Sequence, residues 1–327
     1  MTAEFPPGLL MIVGAVLVPM VKGHVRSAYM LALPLLGIWQ LVALEPGSFG
    51  AMTMFGFELT HVRIDKLSLV FGYIFYLAAA LSIIFAWHTD DPVEQASALV
   101  YVGAAVGATF AGDLITLFIY WELAALASVF LIWAGRTERA YRAGLRYLLI
   151  QITSGVLLAA GAVLRANETG SVGFDHIGLD SPGGTLILIA FGIKCAFPFL
   201  HNWLQDSYPE ASVTGTVFLS AFTTKLAVYV LARGYAGTEM LIWIGALMTA
   251  FPIFYAVIEN DLRRVLAYSL NNQLGFMVAG IGIGTTLAVN GAVGHAFAHI
   301  LYKALLFMSM GAVLYRTGTA KGSELGG

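Results

Sequence analysis

The chain is 327 residues long, 59% hydrophobic and only 11% charged, with a net charge of −2 and a mean hydropathy of +0.81. Charge at under half the ~25% usual in soluble domains excludes a soluble globular protein; the near-neutral net charge carries no message about partners, and no basic stripe points to nucleic acid. The single cysteine, Cys195, excludes an internal disulfide and a cysteine-ligated cluster within the chain, and no Gly-rich loop follows a strand pattern, so no nucleotide site is indicated.

Apolar runs near the ~20 residues that cross a bilayer recur along the whole sequence. They fall at about 7–21, 27–45, 66–87, 95–111, 114–134, 143–164, 182–202, 213–232, 239–257, 265–284 and 289–315, which predicts an all-α polytopic membrane protein of about eleven transmembrane helices. The first run follows Glu4, Pro6 and Pro7, and its basic residues come after it, the reverse of a signal peptide, so it reads as a retained helix. Lys and Arg beside spans favour the cytoplasmic side. With the N-terminus outside, cytoplasmic connections hold Lys22, Arg26, Arg136, Arg139, Arg142, Arg146, Arg263, Arg264, Arg316 and Lys321, against Arg63, Lys66, Arg165 and Arg233 outside. The expected location is the cell inner (cytoplasmic) membrane, N-terminus outside and, after an odd number of spans, C-terminus in the cytoplasm.

Charges inside the spans carry the chemistry. Glu122 lies deep in the fifth run, where an unpaired acid costs at least ~2.5 kcal/mol; it is either half of a static salt bridge or a proton-carrying acid beside a lysine. Lys194 lies within the seventh run, and Pro198, four residues on, has no N–H for the carbonyl of Lys194. A helix break and a buried ammonium coincide there, and such groups persist in hydrocarbon only when packed in protein or facing water, which marks an ion path. Lys225 is mid-span in the next run, either a relay element that gives up its proton or a snorkelling side chain. His295, His299 and Lys303 recur every four residues, which places them on one helical stripe about 12 Å long. Three titratable groups in file describe a proton wire; satisfied core polar groups or a histidine metal pair are the competing readings, and the helix offers no acidic third ligand for a metal. Asn271, Asn272 and Gln273 interrupt the tenth run and serve either a hydrated route or interhelical hydrogen bonds. His201, Trp203, Asp206 and Glu210 follow the break as an interfacial loop or a mouth.

The sequence also echoes itself. Asp113-Leu114 with Tyr120 matches Asp261-Leu262 with Tyr268 at an offset of 148, and Gly161-Ala-Val-Leu164 matches Gly311-Ala-Val-Leu314 at 150. The matched spans are five apart, so the second copy is expected to lie inverted. This divides the chain into an N-terminal three-helix segment (1–92), a first five-helix repeat (93–234) and a partial second repeat with its tail (235–327). The counterpart of Lys194 would lie beyond Gly327, so the second copy is expected to lack its broken helix here: either the chain is cut short or another polypeptide supplies the missing helices. The tail from Thr317, rich in Gly and small polar residues, reads as an exposed end or linker.

Four ordered motifs carry a resemblance: Tyr120-Trp-Glu-Leu123, Gly192-Ile-Lys-Cys-Ala-Phe-Pro-Phe-Leu-His-Asn-Trp-Leu-Gln-Asp206, Asp261-Leu-Arg-Arg-Val-Leu-Ala-Tyr-Ser269 and His299-Ile-Leu-Tyr-Lys-Ala-Leu-Leu-Phe307, with Asp65-Lys-Leu-Ser68 as a weaker fifth. Together they resemble the antiporter-like, proton-translocating membrane subunits: Mrp-type cation/proton antiporter subunits, the D-type above all, and the large membrane-arm subunits of complex I and membrane-bound hydrogenases. The resemblance implies an inverted-repeat antiporter-like fold with a broken seventh helix, here with an incomplete second repeat. It implies that Glu122 and Lys194 form a switching charge pair, that Lys225 passes protons inward, and that His295, His299 and Lys303 continue a central polar axis. Gln205 and Ser212 stand where the family usually has proline, and Gln273 where it often has histidine. The function so implied is proton translocation within a multi-subunit membrane complex, H+ moving alone or in exchange for Na+ or K+. A redox-driven complex is the alternative setting, and a quinone-binding subunit and a non-conducting scaffold are the other readings. No catalytic residue, metal or cofactor is expected in this chain; its partners would be other membrane subunits and lipid.

Overall fold

The computed structural model describes residues 5–54 and 56–326. Its elements run α1 (Leu9–Ala15), α2 (Gly23–Val42), β1 (Gly47–Met54), β2 (Phe57–Ile64), α3 (Lys66–Phe85), α4 (Pro92–Phe110), α5 (Leu114–Trp133), α6 (Glu138–Thr169), α7 (Pro182–Cys195), α8 (Asn202–Ser207), α9 (Val213–Gly234), α10 (Met240–Ile258), α11 (Leu262–Ile283) and α12 (Thr286–Thr317). Among the described residues, eight helices are long and apolar enough to cross a bilayer: α2 to α6, α9, α10 and α12. The other three predicted runs are also helical. The helices α1 and α7 are shorter, and α11 is long enough but carries Arg263, Arg264, Asn271, Asn272 and Gln273.

Helix starts follow from the residues that precede them. Asp65, Asp91, Asp113, Thr137, Ser181, Ser212, Asp261 and Thr285 each accept a hydrogen bond from a backbone N–H of the first turn, which satisfies donors that a helix leaves orphaned. Two of these helices also begin with proline, Pro92 and Pro182, where the missing N–H costs nothing. At the centre stands α9, whose spanning window is wholly buried and which packs against α3, α4, α5, α7, α11 and α12.

One hairpin departs from the all-α expectation. The strands β1 and β2 pair antiparallel from Gly47↔Ile64 to Met54↔Phe57. Residues 57–64 place Leu59, Val62 and Ile64 inward, and Thr60 joins the α4–α5 turn by accepting from Gly112 N (3.0 Å) and donating its N–H to Asp113 Oδ2 (2.9 Å). Ion pairs tie this hairpin face together: Arg63 with Asp175 at 2.5 Å and Arg233 with Asp65 at 2.8 Å. The opposite, basic face is held by Arg136–Asp91 at 2.6 Å, Arg139–Glu210 at 2.7 Å and Arg146–Asp206 at 2.7 Å.

Asp65 carries a testable consequence. Burial pushes its carboxyl up, but the hydrogen bond and charge of Arg233, the Ser68 N–H and Arg63 together hold it below the usual 3.8. A carboxylate depressed in the folded state contributes stability above its unfolded pKa and loses it as pH falls through the folded one. The unfolding temperature should therefore drop as pH falls below about 4. Asp65→Asn should be less stable than the native chain at pH 7 and should flatten that part of the profile; unchanged profiles in thermal melts from pH 7 to 3 would refute the assignment.

The helices repeat in register. The starts of α4 and α10, α5 and α11, and α6 and α12 are each 148 residues apart (240 − 92, 262 − 114, 286 − 138), and α6 and α12 are both 32 residues long. Their ends match as well. Each terminates at a left-handed glycine, Gly170 (φ 72°) or Gly318 (φ 75°), a conformation that side chains with a Cβ resist. The chain then returns to the aspartate of the preceding helix: Leu114 N donates to Val172 O at 2.8 Å, and Leu262 N to Ala320 O at 2.9 Å. Because α4 starts on the basic face and α10 on the hairpin face, the two copies lie inverted.

Two expectations need correcting. The Gly161/Gly311 match, at 150, is two residues out of the structural register and is coincidental. The tail beyond Thr317 is mostly exposed, as expected of an end, but it is not a free linker: Lys321 forms a backbone β-bridge with Asp261, Gly322 N donates to Asn260 O at 2.8 Å, and Gly322–Glu324 form a 3-10 turn.

Candidate functional site

The helix α7 stops where the proline predicts, by a defined device. Ala196 takes a left-handed conformation (φ 61°), its N–H donates to Ile193 O at 3.1 Å, and Phe197 N–H donates to Gly192 O at 2.9 Å, the paired bonds of a Schellman turn. Trp203 Nε1 on α8 also donates to Ile193 O, at 2.9 Å, which fastens the chain after the break to the helix before it. Lys194 therefore sits in the last turn of a short helix that ends inside the bundle.

The Lys194 side chain is 1% exposed. Its Nζ donates to the main-chain carbonyl of Trp121 at 3.1 Å and stands 4.0 Å from the centroid of the Trp121 ring, a cation–π arrangement. That indole is itself fixed, because Trp121 Nε1 donates to Ser154 Oγ (3.0 Å), which donates to Ala190 O (2.7 Å). Glu122 follows Trp121 on α5. Among the described residues it forms no ion pair with Lys194 within 4.0 Å, and its buried Oε1 has no hydrogen-bond partner. The carboxylate instead rests against Gly155 of α6. The structure thus brings the two residues of the expected pair to one place, with the ammonium on the carbonyl preceding the acid rather than on the acid.

The other lysines are held alike. Lys225, 0% exposed on α9, donates from Nζ to Ser220 O at 2.5 Å; Lys303, 1% exposed on α12, donates to Leu266 O at 3.3 Å. Among the described residues, none of the three lysines has a carboxylate within 4.0 Å. A carbonyl oxygen accepts from an ammonium or, more weakly, from an amine, so each site can hold its lysine in either protonation state, whereas a carboxylate would favour the charged one far more strongly.

His299 is fully buried, and neither ring nitrogen has a protein partner. Its ring centroid lies 6.0 Å from that of His295 and 5.0 Å from that of Tyr302. The Nε2 of His295 bonds Gln273 Oε1 at 2.9 Å, Gln273 Nε2 donates to Asn272 Oδ1 at 3.0 Å, and Asn272 Nδ2 donates to Thr249 O at 2.5 Å. A polar file therefore runs from α12 through α11 to α10. Buried polar atoms without protein partners recur on the same helices and on α9: Thr224 Oγ1, next to Lys225 in sequence, Asn271 Oδ1 and both nitrogens of His299. Such atoms are normally satisfied by water, so they favour a hydrated route over a dry core.

The secondary residues separate. Asp206 is an ion-pair partner of Arg146 on the basic face, and Gln273 belongs to the file. His201 lies in the link between α7 and α8, edge-on to Phe251 at 5.7 Å, with Nδ1 unpaired. Arg263, expected in a cytoplasmic connection, is buried at 6% exposure and donates to Ala211 O (2.9 Å), Ser212 O (3.3 Å) and Thr216 Oγ1, so it braces the start of α9. Glu94 was missed. It is 6% exposed and accepts from Ser212 Oγ (2.6 Å) and Thr214 Oγ1 (2.5 Å). In sequence it sits after Asp90, Asp91 and Pro92, the position of an ordinary acidic first turn.

The family profile described as NADH:quinone oxidoreductase/Mrp antiporter, TM, matches residues 111–325. The D-type Na(+)/H(+) antiporter subunit of Alkalihalophilus pseudofirmus is 31% identical over 68% of this chain and 49% of that protein, and the N-type NADH-quinone oxidoreductase subunit of Desulforudis audaxviator is 33% identical over 72% and 52%. The chain therefore spans about half the length of these curated relatives. Among solved structures, the Mrp complex of Dietzia sp. DQ12-45-1b contains a chain that superposes with a TM-score of 0.85 at 26% identity, over 96% of this chain and 38% of that one.

Proposed function

Because this chain belongs to the NADH:quinone oxidoreductase/Mrp antiporter family of membrane subunits, we propose that it carries protons through the bilayer as one subunit of a larger membrane complex. The path runs through Glu122, Lys194, Lys225, His299, His295 and Lys303, with Pro198 ending the helix that presents Lys194. One observation carries this reading: three buried lysines rest on main-chain carbonyls, with no carboxylate within 4.0 Å of any of them among the described residues, and the buried His299 has ring nitrogens without protein partners. A static salt-bridge network would pair those charges, since a buried unpaired ion costs several kcal/mol.

The proposed cycle is electrostatic. When Lys194 swings from the Trp121 carbonyl toward Glu122, its field at Lys225 weakens and Lys225 accepts a proton. On its return, repulsion between two ammoniums favours passage of that proton toward His299 and Lys303. A tenfold change in protonation ratio needs only ~1.4 kcal/mol, which a unit charge moving a few ångströms at an effective dielectric near 20 supplies in order of magnitude. In this reading the N-terminus and hairpin face lie outside, the basic face is cytoplasmic, and further helices of the assembly cover the α10–α12 side.

The relatives' names include both an Na(+)/H(+) antiporter subunit and an NADH-quinone oxidoreductase subunit, so the driving reaction is what an experiment must choose. Vesicles carrying the chain with its co-expressed membrane neighbours should acidify or alkalinise on a Na+ or K+ pulse if exchange drives it, and only during electron transfer if redox chemistry does. Absence of proton movement under both conditions would reject the reading in favour of a non-conducting scaffold.

A further inference from the structure

Glycine in the middle of a helix costs about 1 kcal/mol relative to alanine, so each interior glycine of a long helix invites a reason. In α6, a Cβ at Gly144 would strike the Trp133 indole, and one at Gly161 would strike Ile187 and the Gly183 carbonyl of α7. Both are ordinary close approaches between packed helices. Gly155 differs. A Cβ there would overlap Oε1 and the carboxyl carbon of Glu122 and lie 3.1 Å from its Cγ, so the vacant side-chain position of Gly155 is where the carboxylate sits.

The flanking residues make this a built place. Ser154 holds the Trp121 indole over which Lys194 stands. Gln151, one turn earlier on the same face and 0% exposed, has no protein partner for either amide atom. This stretch of α6 thus serves the lysine through Ser154, receives the acid at Gly155, and carries the unsatisfied Gln151 amide one turn earlier.

We propose that Gly155 is a positioning residue: the socket left by its missing side chain seats the Glu122 carboxylate one residue along α5 from the carbonyl that anchors Lys194. The functional half of this inference rests on the proton-path reading; the steric half does not. With the socket filled, the carboxylate must leave α6, and the separation through which Lys194 acts is reset.

The test uses the intact complex and two readouts. The infrared carboxyl band of Glu122, identified by its disappearance in Glu122→Gln, should shift in Gly155→Ala. Proton transport should fall about tenfold or more, as misplacing a reacting group by ~1 Å can cost up to ~10²-fold, with a displaced pH profile. Glu122→Asp, one methylene shorter, should restore transport in the Gly155→Ala background to the level of Glu122→Asp alone. If Gly155→Ala prevents assembly, removing the clashing side chain with Glu122→Ala should restore it. An unmoved band, or an assembly defect that persists without the Glu122 side chain, overturns the socket. Wild-type transport by Glu122→Gln would instead overturn the proton-path reading and leave the band shift to decide the socket by itself.

Discussion

Lys225→Met should stop proton movement through the complex while the chain still folds and assembles. Lys225 is 0% exposed at the heart of the most buried helix, and among the described residues its Nζ donates only to the Ser220 carbonyl, five residues earlier in the same helix. Methionine keeps most of the volume and removes a buried charge that has no carboxylate partner, so the stability change should be small or favourable. Transport should fall by ~10²-fold or more, the usual contribution of a positioned proton-transfer group. Lys225→Arg should fail equally, because a guanidinium keeps the charge but does not release its proton. Initial rates in dye-loaded vesicles, alongside thermal melts of the purified complex, make the comparison. A methionine variant that transports at the native rate would remove Lys225 from the path.

Lys194 should behave differently, because its proposed role is to move a charge. Lys194→Met should also reduce transport by ~10²-fold, but Lys194→Arg should retain a measurable fraction of it, since a cation still stands over Trp121 and can still be drawn toward Glu122. The contrast between arginine at 194 and arginine at 225 is the informative result. Equal loss at both positions would mean that Lys194 must itself exchange a proton, and equal retention would mean that neither does. Trp121→Phe should weaken transport less than either lysine change, because the Lys194 anchor is the main-chain carbonyl, which the substitution preserves.

Much of this was written locally in the chain. Apolar runs of spanning length, the aspartates and serines that cap them, and Pro198 with Lys194 act over a few residues, so helix positions and the break could be read without knowledge of neighbours. The hairpin at 47–64 escaped because its alternation is short and interrupted by His61, and because its strands gain their footing on Gly112 and Asp113, remote in sequence. The repeat was visible at Asp113 and Asp261, yet only the matched helix starts fixed its register at 148 and exposed the glycine-alanine-valine-leucine match as chance.

The sequence by itself determined a polytopic helical membrane protein with buried titratable residues in a stated order, because hydropathy and spacing are properties of single segments. The tertiary structure decided what those residues touch. Lys194 finds the carbonyl of Trp121, 73 residues away, and Trp121 finds Ser154, 33 residues away. Glu122 finds a glycine, a residue that shows nothing in a sequence because its contribution is the space it leaves. Which side chain enters that space depends on how α5 and α6 pack, and packing is settled only when every helix has chosen its neighbours.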